Sequence, residues 1–380
     1  MIAKSNLIFK IIIFFIVFLT IDFIFTKLIF SKLLIKNLEN IYSQDLDNRI
    51  PNKDYKYTFN NNVEFLSKYK DSIYKIHTND LGFRDFSSSD LDRSQEYIIL
   101  IGDSFVEGVG LNYNETIGHK LNKAKENYFF LNAGVSSYSP YIYNKKVKTI
   151  LKNNENLKVK KVLLFLDKSD PIDDFNNNYH KLTGKFSTIN KTPEYKKNLS
   201  ERFIVFFILK KLNNFVEENL RSLKYRYQLS NITNKNFFSF TQNQVNAFKS
   251  IGNRKSISSW YTNKKKWNDE TKNKFMFSIK QIEDLHTYLE TLNIELVVVL
   301  YPWAYELFDQ NVAKIYEEFT TKKLLEINIK TFSCYKIFQK ENILNQLEFI
   351  GQAFQLADIH YNNFGNQVLS SCIIKNLNFN

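Results

Sequence analysis

The sequence predicts an α/β fold, a central parallel sheet in one large domain, preceded by a single N-terminal transmembrane helix. Three observations predict it. Short apolar runs at 97–101, 128–131, 161–166, 294–300 and 328–333 alternate with amphipathic stretches, and strands alternating with helices build parallel sheets. Residues Leu7 to Phe30 are almost continuously apolar, broken by Lys10, Asp22 and Lys27, and about 20 apolar residues span a bilayer. The run Tyr97 to Ile101 ends in Gly102-Asp103-Ser104-Phe105, a sharp turn at the carboxyl end of a buried strand, where open α/β sheets bind their ligands.

Taken in order, residues 1–36 read as a membrane anchor, because no small-residue cleavage site follows Phe30. Asp22 within it fits either an interfacial position or a contact with another membrane protein. Residues 37–92 read as a polar, irregular lead-in with a loop at Asn60-Asn61-Asn62. The domain at 93–376 then alternates strand 97–101, a helix near 116–126, strand 128–131, a helix near 141–153 and strand 161–166. An insertion at about 171–267 follows. Within it, Phe203 to Leu223 has helical apolar spacing, which suits a packed helix, a lid or a surface lying on the bilayer. The basic, aromatic stretch Arg254 to Lys266 suits an anionic sugar or a solvated loop. Asn268 is a helix N-cap candidate, and Phe275, Ile279, Ile282, Leu285, Leu289 and Leu292 form one apolar stripe. Strand 294–300 ends in Tyr301-Pro302-Trp303. A helix near 311–325, strand 328–333 and a last helix at 363–377 complete the domain.

A serine hydroxyl needs a base to become a nucleophile, and histidine suits that role near neutral pH. Of the five histidines, His360 alone has a carboxylate placed to orient it, in Asp358-Ile359-His360. Asp358 can turn back onto the second ring nitrogen, as in a Ser-His-Asp arrangement. His119 and His286 read as helix-surface or packing residues, and His77 and His180 as loop residues. No His/Cys/Asp cluster has metal-ligand spacing, so no metal or other cofactor is expected. The glycines after Ser104 lack the Lys-Ser/Thr of a phosphate loop, which argues against a nucleotide site.

Gly102-Asp103-Ser104, Asn132-Ala133-Gly134 after the second strand, and Asp358-Ile359-His360 near the C-terminus resemble, in order and strand context, the SGNH (GDSL-type) hydrolases. The resemblance covers roughly residues 75 to 376. It implies a three-layer α/β/α fold, Ser104 as nucleophile, His360 as base and Asp358 as its orienter. It also implies that the Ser104 and Gly134 N–H groups line an oxyanion hole. Ser169, in Asp167-Lys168-Ser169-Asp170, stands where the family usually has an asparagine that donates to the oxyanion. The Asp-x-His spacing, Thr78 to Arg84 and Tyr301-Pro302-Trp303 resemble SGNH proteins tied to bacterial envelope polysaccharides. The implied activity is a membrane-anchored esterase or O-acyl(acetyl)transferase on an envelope or secreted polysaccharide, acting through an acyl-enzyme on Ser104. A membrane acyltransferase is a conceivable partner, and the alternative is a weak or inactive glycan-binding assembly subunit. Trp303 suits sugar stacking or simple packing. The apolar 203–209 run leaves a lipase reading open.

The net charge of +13 over 380 residues raises nucleic acid or an anionic surface, but the basic residues are scattered and no nucleic-acid module is present, so nucleic acid is excluded. Lys27, Lys32 and Lys36 after the anchor would hold the domain inside by the positive-inside rule. The resemblance implies the opposite, a single-pass protein of the bacterial inner membrane with an extracytoplasmic domain, and that is the expectation here. Cys334 and Cys372 are expected as buried free thiols, with pairing in an oxidising compartment as the alternative.

Overall fold

The computed structural model describes residues 2–25, 49–69, 72–87, 89–124, 128–177, 179–181, 268–308, 310–340, 343–355 and 358–377. The stretches singled out at 203–223 and 254–266 lie outside the described residues. Residues 48–188 and 237–380 form one compact unit, and 1–47 with 189–236 form another.

Of the second unit, α1 (Ile2–Phe25) is described. Phe9, Ile13, Phe14, Phe15, Val17, Phe18 and Ile21 on it are exposed. Among the described residues no helix is long and apolar enough to cross a membrane. The expected transmembrane helix is therefore not found as such. Several side chains of α1 and all of residues 26–36 lie outside what is described.

The large unit is built on strands β1 (Arg49–Asn52), β2 (Lys56–Phe59), β3 (Glu64–Tyr69), β4 (Ser72–Thr78), β5 (Arg84–Asp85), β6 (Glu96–Ile101), β7 (Phe129–Asn132), β8 (Lys158–Leu166), β9 (Glu295–Leu300) and β10 (Lys330–Ser333). Its helices are α2 (Ser104–Glu107), α3 (Ile117–Ala124), α4 (Pro140–Asn153), α5 (Asp170–Asn176), α6 (Asp269–Glu290), α7 (Gln310–Glu326), α8 (Tyr335–Phe338), α9 (Ile343–Ala353) and α10 (Asn363–Asn376). The main sheet has eight strands in the order β10-β9-β8-β6-β7-β5-β4-β3. Strands β10, β9, β8, β6 and β7 are parallel, and β5, β4 and β3 are antiparallel.

The parallel strands form because they are continuous apolar runs buried on both faces. Ile98 to Ile101, Val162 to Leu166 and Leu296 to Leu300 are all almost fully buried. From β6 the chain moves to one side for β7 and then crosses back to the other side for β8. Right-handed crossovers in opposite directions put α3 on one face and α4 on the other. Helix α10 packs on α3, and α6 packs on α4, giving three layers. Asn268 caps α6, its side chain accepting from Thr271 N–H at 3.0 Å. The predicted stripe is its buried face, with Phe275, Ile279, Ile282, Leu285 and Leu289 all buried.

Two expectations are corrected. The segment from 49 to 85 is not irregular: β3, β4 and β5 extend the main sheet, and β1 pairs with β2. Its strands are half-exposed and polar on one side, so they lack the apolar run that marks the others. Cys334, at the start of α8, and Cys372, on α10, are joined in a disulfide.

That disulfide closes a loop spanning a sequence separation of 38, so chain entropy alone assigns it about 4 kcal/mol. Reduction, or paired Cys334→Ser and Cys372→Ser substitution, is expected to lower the urea midpoint without changing the fold. Equal midpoints for the oxidised and reduced protein would show that the bond contributes nothing.

Candidate active site

The carboxyl ends of β6, β7, β8 and β9 carry Ser104, Gly134, Ser169 and Trp303, and the loop between α9 and α10 brings Asp358 and His360 to them. They meet where the connections from β6 and β7 diverge, the crevice position of open α/β sheets. The turn after β6 is tight because of Gly102: a Cβ there would collide with the Val106 side chain and meet Phe165 Cβ at 3.1 Å. Asp103 caps α2, its carboxylate accepting from Phe105 N–H at 3.0 Å. Ser104 is thereby the first residue of α2.

Ser104 Oγ lies 2.7 Å from His360 Nε2. His360 Nδ1 lies 2.7 Å from Asp358 Oδ1, which also accepts the Ile359 N–H at 2.6 Å. A carboxylate only accepts, so His360 carries its proton on Nδ1 and leaves Nε2 to accept from Ser104. Ser104 Oγ is also 3.4 Å from Asp103 Oδ2, a longer contact that leaves the imidazole as the better partner. His360 and Asp358 are 7% and 5% exposed, while Ser104 is half-buried. Phe105 packs on the imidazole with ring centroids 4.8 Å apart. The pair is therefore largely shielded from solvent, with its nucleophile half-buried beside it.

The two further oxyanion candidates are committed elsewhere. Gly134 N–H donates to Asn132 Oδ1 at 3.1 Å. Gly134 itself is required for packing, since a Cβ there would meet Val106 Cβ at 2.6 Å and Glu107 N at 2.8 Å. Lys146, buried on α4, donates to Ala133 O at 2.9 Å, the carbonyl of the same peptide unit; burial pushes its ammonium down to about 7. Ser169 donates both its N–H and its hydroxyl to Asp167 Oδ1, each at 2.7 Å. The Ser104 N–H opens α2 and has no intrahelical acceptor.

Trp303 is not a sugar platform. It is 3% exposed, and its indole N–H donates to Asp167 Oδ2 at 2.6 Å. The Lys168 ammonium lies 4.9 Å from its ring centroid and pairs with Glu306, both side chains fully buried. An indole with a buried acceptor at strand end has no reason to face solvent.

Asp103, Asp167 and Asp170 each place one oxygen within 4.8 Å of the others, all buried. Burial, then the neighbouring carboxylates, hold the Asp103 and Asp170 carboxyls well above the usual range. Asp170 Oδ2 accepts from Tyr143 O–H and from Asp167 N–H, each at 3.0 Å.

The other histidines lie apart from this chemistry. His77 faces Glu64 across β3–β4 at 3.3 Å and His286 faces Glu290 at 3.4 Å, while His180 stacks on Phe175. Two residues not singled out as site residues matter. Tyr69, in the supposedly irregular lead-in, donates its O–H to Asp358 Oδ2 at 2.9 Å. Buried Arg84 donates to Glu107 O at 2.6 Å, Gly108 O at 2.8 Å and Leu111 O, fixing the turn that leaves α2. Alternation in Ser72 to Thr78 was the signal that could have drawn β4, and with it the paired strand that ends in Tyr69, into the sheet.

No family model matches the chain, and no curated protein matches it. Among solved structures it is similar to a member of the lipolytic G-D-S-L family from Veillonella parvula, at 12% identity, 74% of this chain, 97% of that one and a TM-score of 0.36. It is also similar to the psychrotrophic esterase EstA from a Pseudoalteromonas, at 10% identity, 74% and 95% coverage and a TM-score of 0.36. An acetyl-xylooligosaccharide esterase from a Geobacillus aligns at 10% identity, 75% and 95% coverage and a TM-score of 0.34. At these values the weight rests on the side chains.

Trp303→Phe is expected to cost about 2–3 kcal/mol, because Asp167 Oδ2 loses a buried donor, while KM for a sugar ester stays unchanged. Denaturation and steady-state kinetics separate this from a stacking role. The carboxyl cluster sets a pH dependence. Asp103 and Asp170 have folded pKa values above their unfolded ones, so above about pH 4 the native state holds more protons than the unfolded chain. Their contribution is full below that and lost as pH climbs through the folded values. Asp170→Asn is expected to flatten the fall in melting temperature between pH 5 and pH 8; an unchanged slope counts against it.

Proposed function

We propose that this protein is an SGNH-type serine esterase or O-acyl(acetyl)transferase that works through an acyl-enzyme on Ser104. The observation that carries the reading is the pair of 2.7 Å contacts joining Ser104, His360 and Asp358, since a nucleophile, a base and an orienting acid are what acyl transfer needs. Ser104 Oγ attacks an ester carbonyl while His360 Nε2 takes its proton. The carbonyl oxygen becomes an oxyanion facing the Ser104 N–H, while Gly134 N–H stays with Asn132. Collapse breaks the ester C–O bond, and His360 returns the proton to the leaving alcohol. Water or a sugar hydroxyl then attacks the acyl carbonyl, with His360 again the base, and releases Ser104.

The finer reading places this chemistry on an envelope or secreted polysaccharide, outside the cytoplasm, with the protein attached to a membrane. The apolar run at 7–30 and the exposed apolar side chains of α1 support attachment. The Cys334–Cys372 disulfide supports an oxidising compartment. The resemblance of the Asp-x-His loop to envelope proteins supports the glycan. One observation favours a second reading, a slow or inactive glycan-binding subunit: Gly134 N–H and the Ser169 hydroxyl already have acceptors.

Wild-type protein is expected to turn over p-nitrophenyl acetate, and Ser104→Ala to lose roughly 10³-fold in kcat/KM. Mass spectrometry of quenched enzyme should find the acetyl group on Ser104. Equal turnover by the two proteins would refute the esterase reading and leave the binding subunit.

A further inference from the structure

Asp358 has to present one fixed oxygen to His360 Nδ1. Its own loop supplies donors to Oδ1: the Ile359 N–H at 2.6 Å and the His360 imidazole at 2.7 Å. A carboxylate torsion is broad and two-fold, so holding one oxygen from a short loop leaves the plane of the group free to tilt. The second oxygen is held from elsewhere. Tyr69 O–H donates to Asp358 Oδ2 at 2.9 Å across 289 positions of sequence.

Between Asp358 and His360, the phenol gives its hydrogen to Asp358. Its oxygen is 3.4 Å from His360 Nδ1, but Nδ1 carries its own proton toward Asp358, so the Tyr69 hydrogen goes to Oδ2. Tyr69 meets the imidazole edge-on, with ring centroids 5.5 Å apart. Gly110 permits the approach, since a Cβ there would sit 3.2 Å from the Tyr69 ring. Tyr69 ends β3, and β3 is paired with β4 throughout its length, Glu64↔His77 to Tyr69↔Ser72. The hydroxyl is thus delivered by a hairpin anchored in the sheet. The opposite end of the relay, Ser104, faces Asp103, which Tyr301 approaches at 3.5 Å. Those groups act on the nucleophile, whereas Tyr69 acts on the Asp358 carboxylate.

We propose that Tyr69 is a positioning residue of the acyl-transfer site: its phenol fixes the plane of Asp358, which fixes the tautomer and direction of His360. The N-terminal hairpin then belongs to the catalytic machinery. This rests on the esterase reading, in which Ser104, His360 and Asp358 act together.

The test is Tyr69→Phe in the full chain, which keeps the ring and removes one oxygen. With p-nitrophenyl acetate, kcat is expected to fall about tenfold, the kinetic equivalent of one hydrogen bond to a charged group, while KM stays within twofold. The proton NMR resonance of His360 Nδ1–H is expected to move, which a packing role for the ring would not produce. Circular dichroism checks that the variant is folded. Wild-type kcat together with an unmoved resonance in a folded Tyr69→Phe protein overturns the proposal. Turnover that survives Ser104→Ala overturns the esterase reading instead, and the His360 resonance then still decides whether Tyr69 holds Asp358.

Discussion

The hydrogen bond between Ser104 Oγ and His360 Nε2 joins residues 256 positions apart at 2.7 Å, and much of the C-terminal region is arranged so that it can form. Closing so long a loop costs entropy that one hydrogen bond cannot repay. The histidine loop is therefore tied down separately. Tyr361 donates its O–H to Pro302 O at 2.5 Å, which docks the loop against the end of β9. Gln355 reaches across to Val109 O at 2.7 Å and gives its own N–H to His360 O at 2.8 Å. Asn362 N–H goes back to Ala353 O, and a Cβ on Gly365 would collide with that carbonyl. The imidazole arrives already oriented, so the contact with Ser104 has little left to order.

The loops at the catalytic edge raise a second constraint. Their carbonyls lie beyond the strand ladders and are buried, so each needs a donor. Long cationic side chains supply it. Arg84 serves the carbonyls after α2, and Lys146 serves Ala133. Arg49 pairs with buried Glu107 at 2.9 Å, and Glu107 in turn accepts Ser136 N–H at 2.5 Å. Lys168 and Glu306 do the same between the ends of β8 and β9, where Glu306 also accepts Trp303 N–H at 2.8 Å. Desolvating these charges is costly, and well-packed apolar groups would often be as stable. What the charges contribute is several directed bonds per side chain, and so a fixed backbone at the place where catalysis needs one.

This explains what could be read from the sequence and what could not. The parallel strands and helices were legible because burial on both faces writes a continuous apolar run, and β6, β8 and β9 all carry one. Ser104 was legible because a reactive residue type fell at a strand end, and Asp358 and His360 because a carboxylate stands two positions before a histidine in the loop ahead of the last helix. Strands β3 to β5 were not, because these antiparallel strands mix Lys, Ser and Tyr with few apolar residues and write no continuous apolar run. The disulfide was not, since 38 positions of separation say nothing about distance. Trp303 was read toward the ligand as readily as toward the core because its position at a strand end fits both. Only the buried Asp167 acceptor decides between them.

Oxyanion stabilisation is where the site is thinnest, and the reason is local. Asparagine at position 169 would bring two amide hydrogens, one of which could reach past a nearby acceptor. Serine has a single hydroxyl hydrogen, and Asp167 Oδ1 takes it at 2.7 Å together with the Ser169 N–H. Asp167 is itself fixed by Trp303, so the acceptor cannot swing away to release the hydroxyl. In the proposed reaction, weak oxyanion stabilisation would slow attack on the acyl-enzyme by water and by a sugar hydroxyl alike, because both pass through the same tetrahedral species. It cannot by itself favour hydrolysis or transfer. Discrimination has to come from holding the acceptor, since a bound alcohol at high effective concentration outruns water. A site with few oxyanion donors therefore places the burden of turnover on acceptor binding, which is the condition under which transfer can compete with hydrolysis.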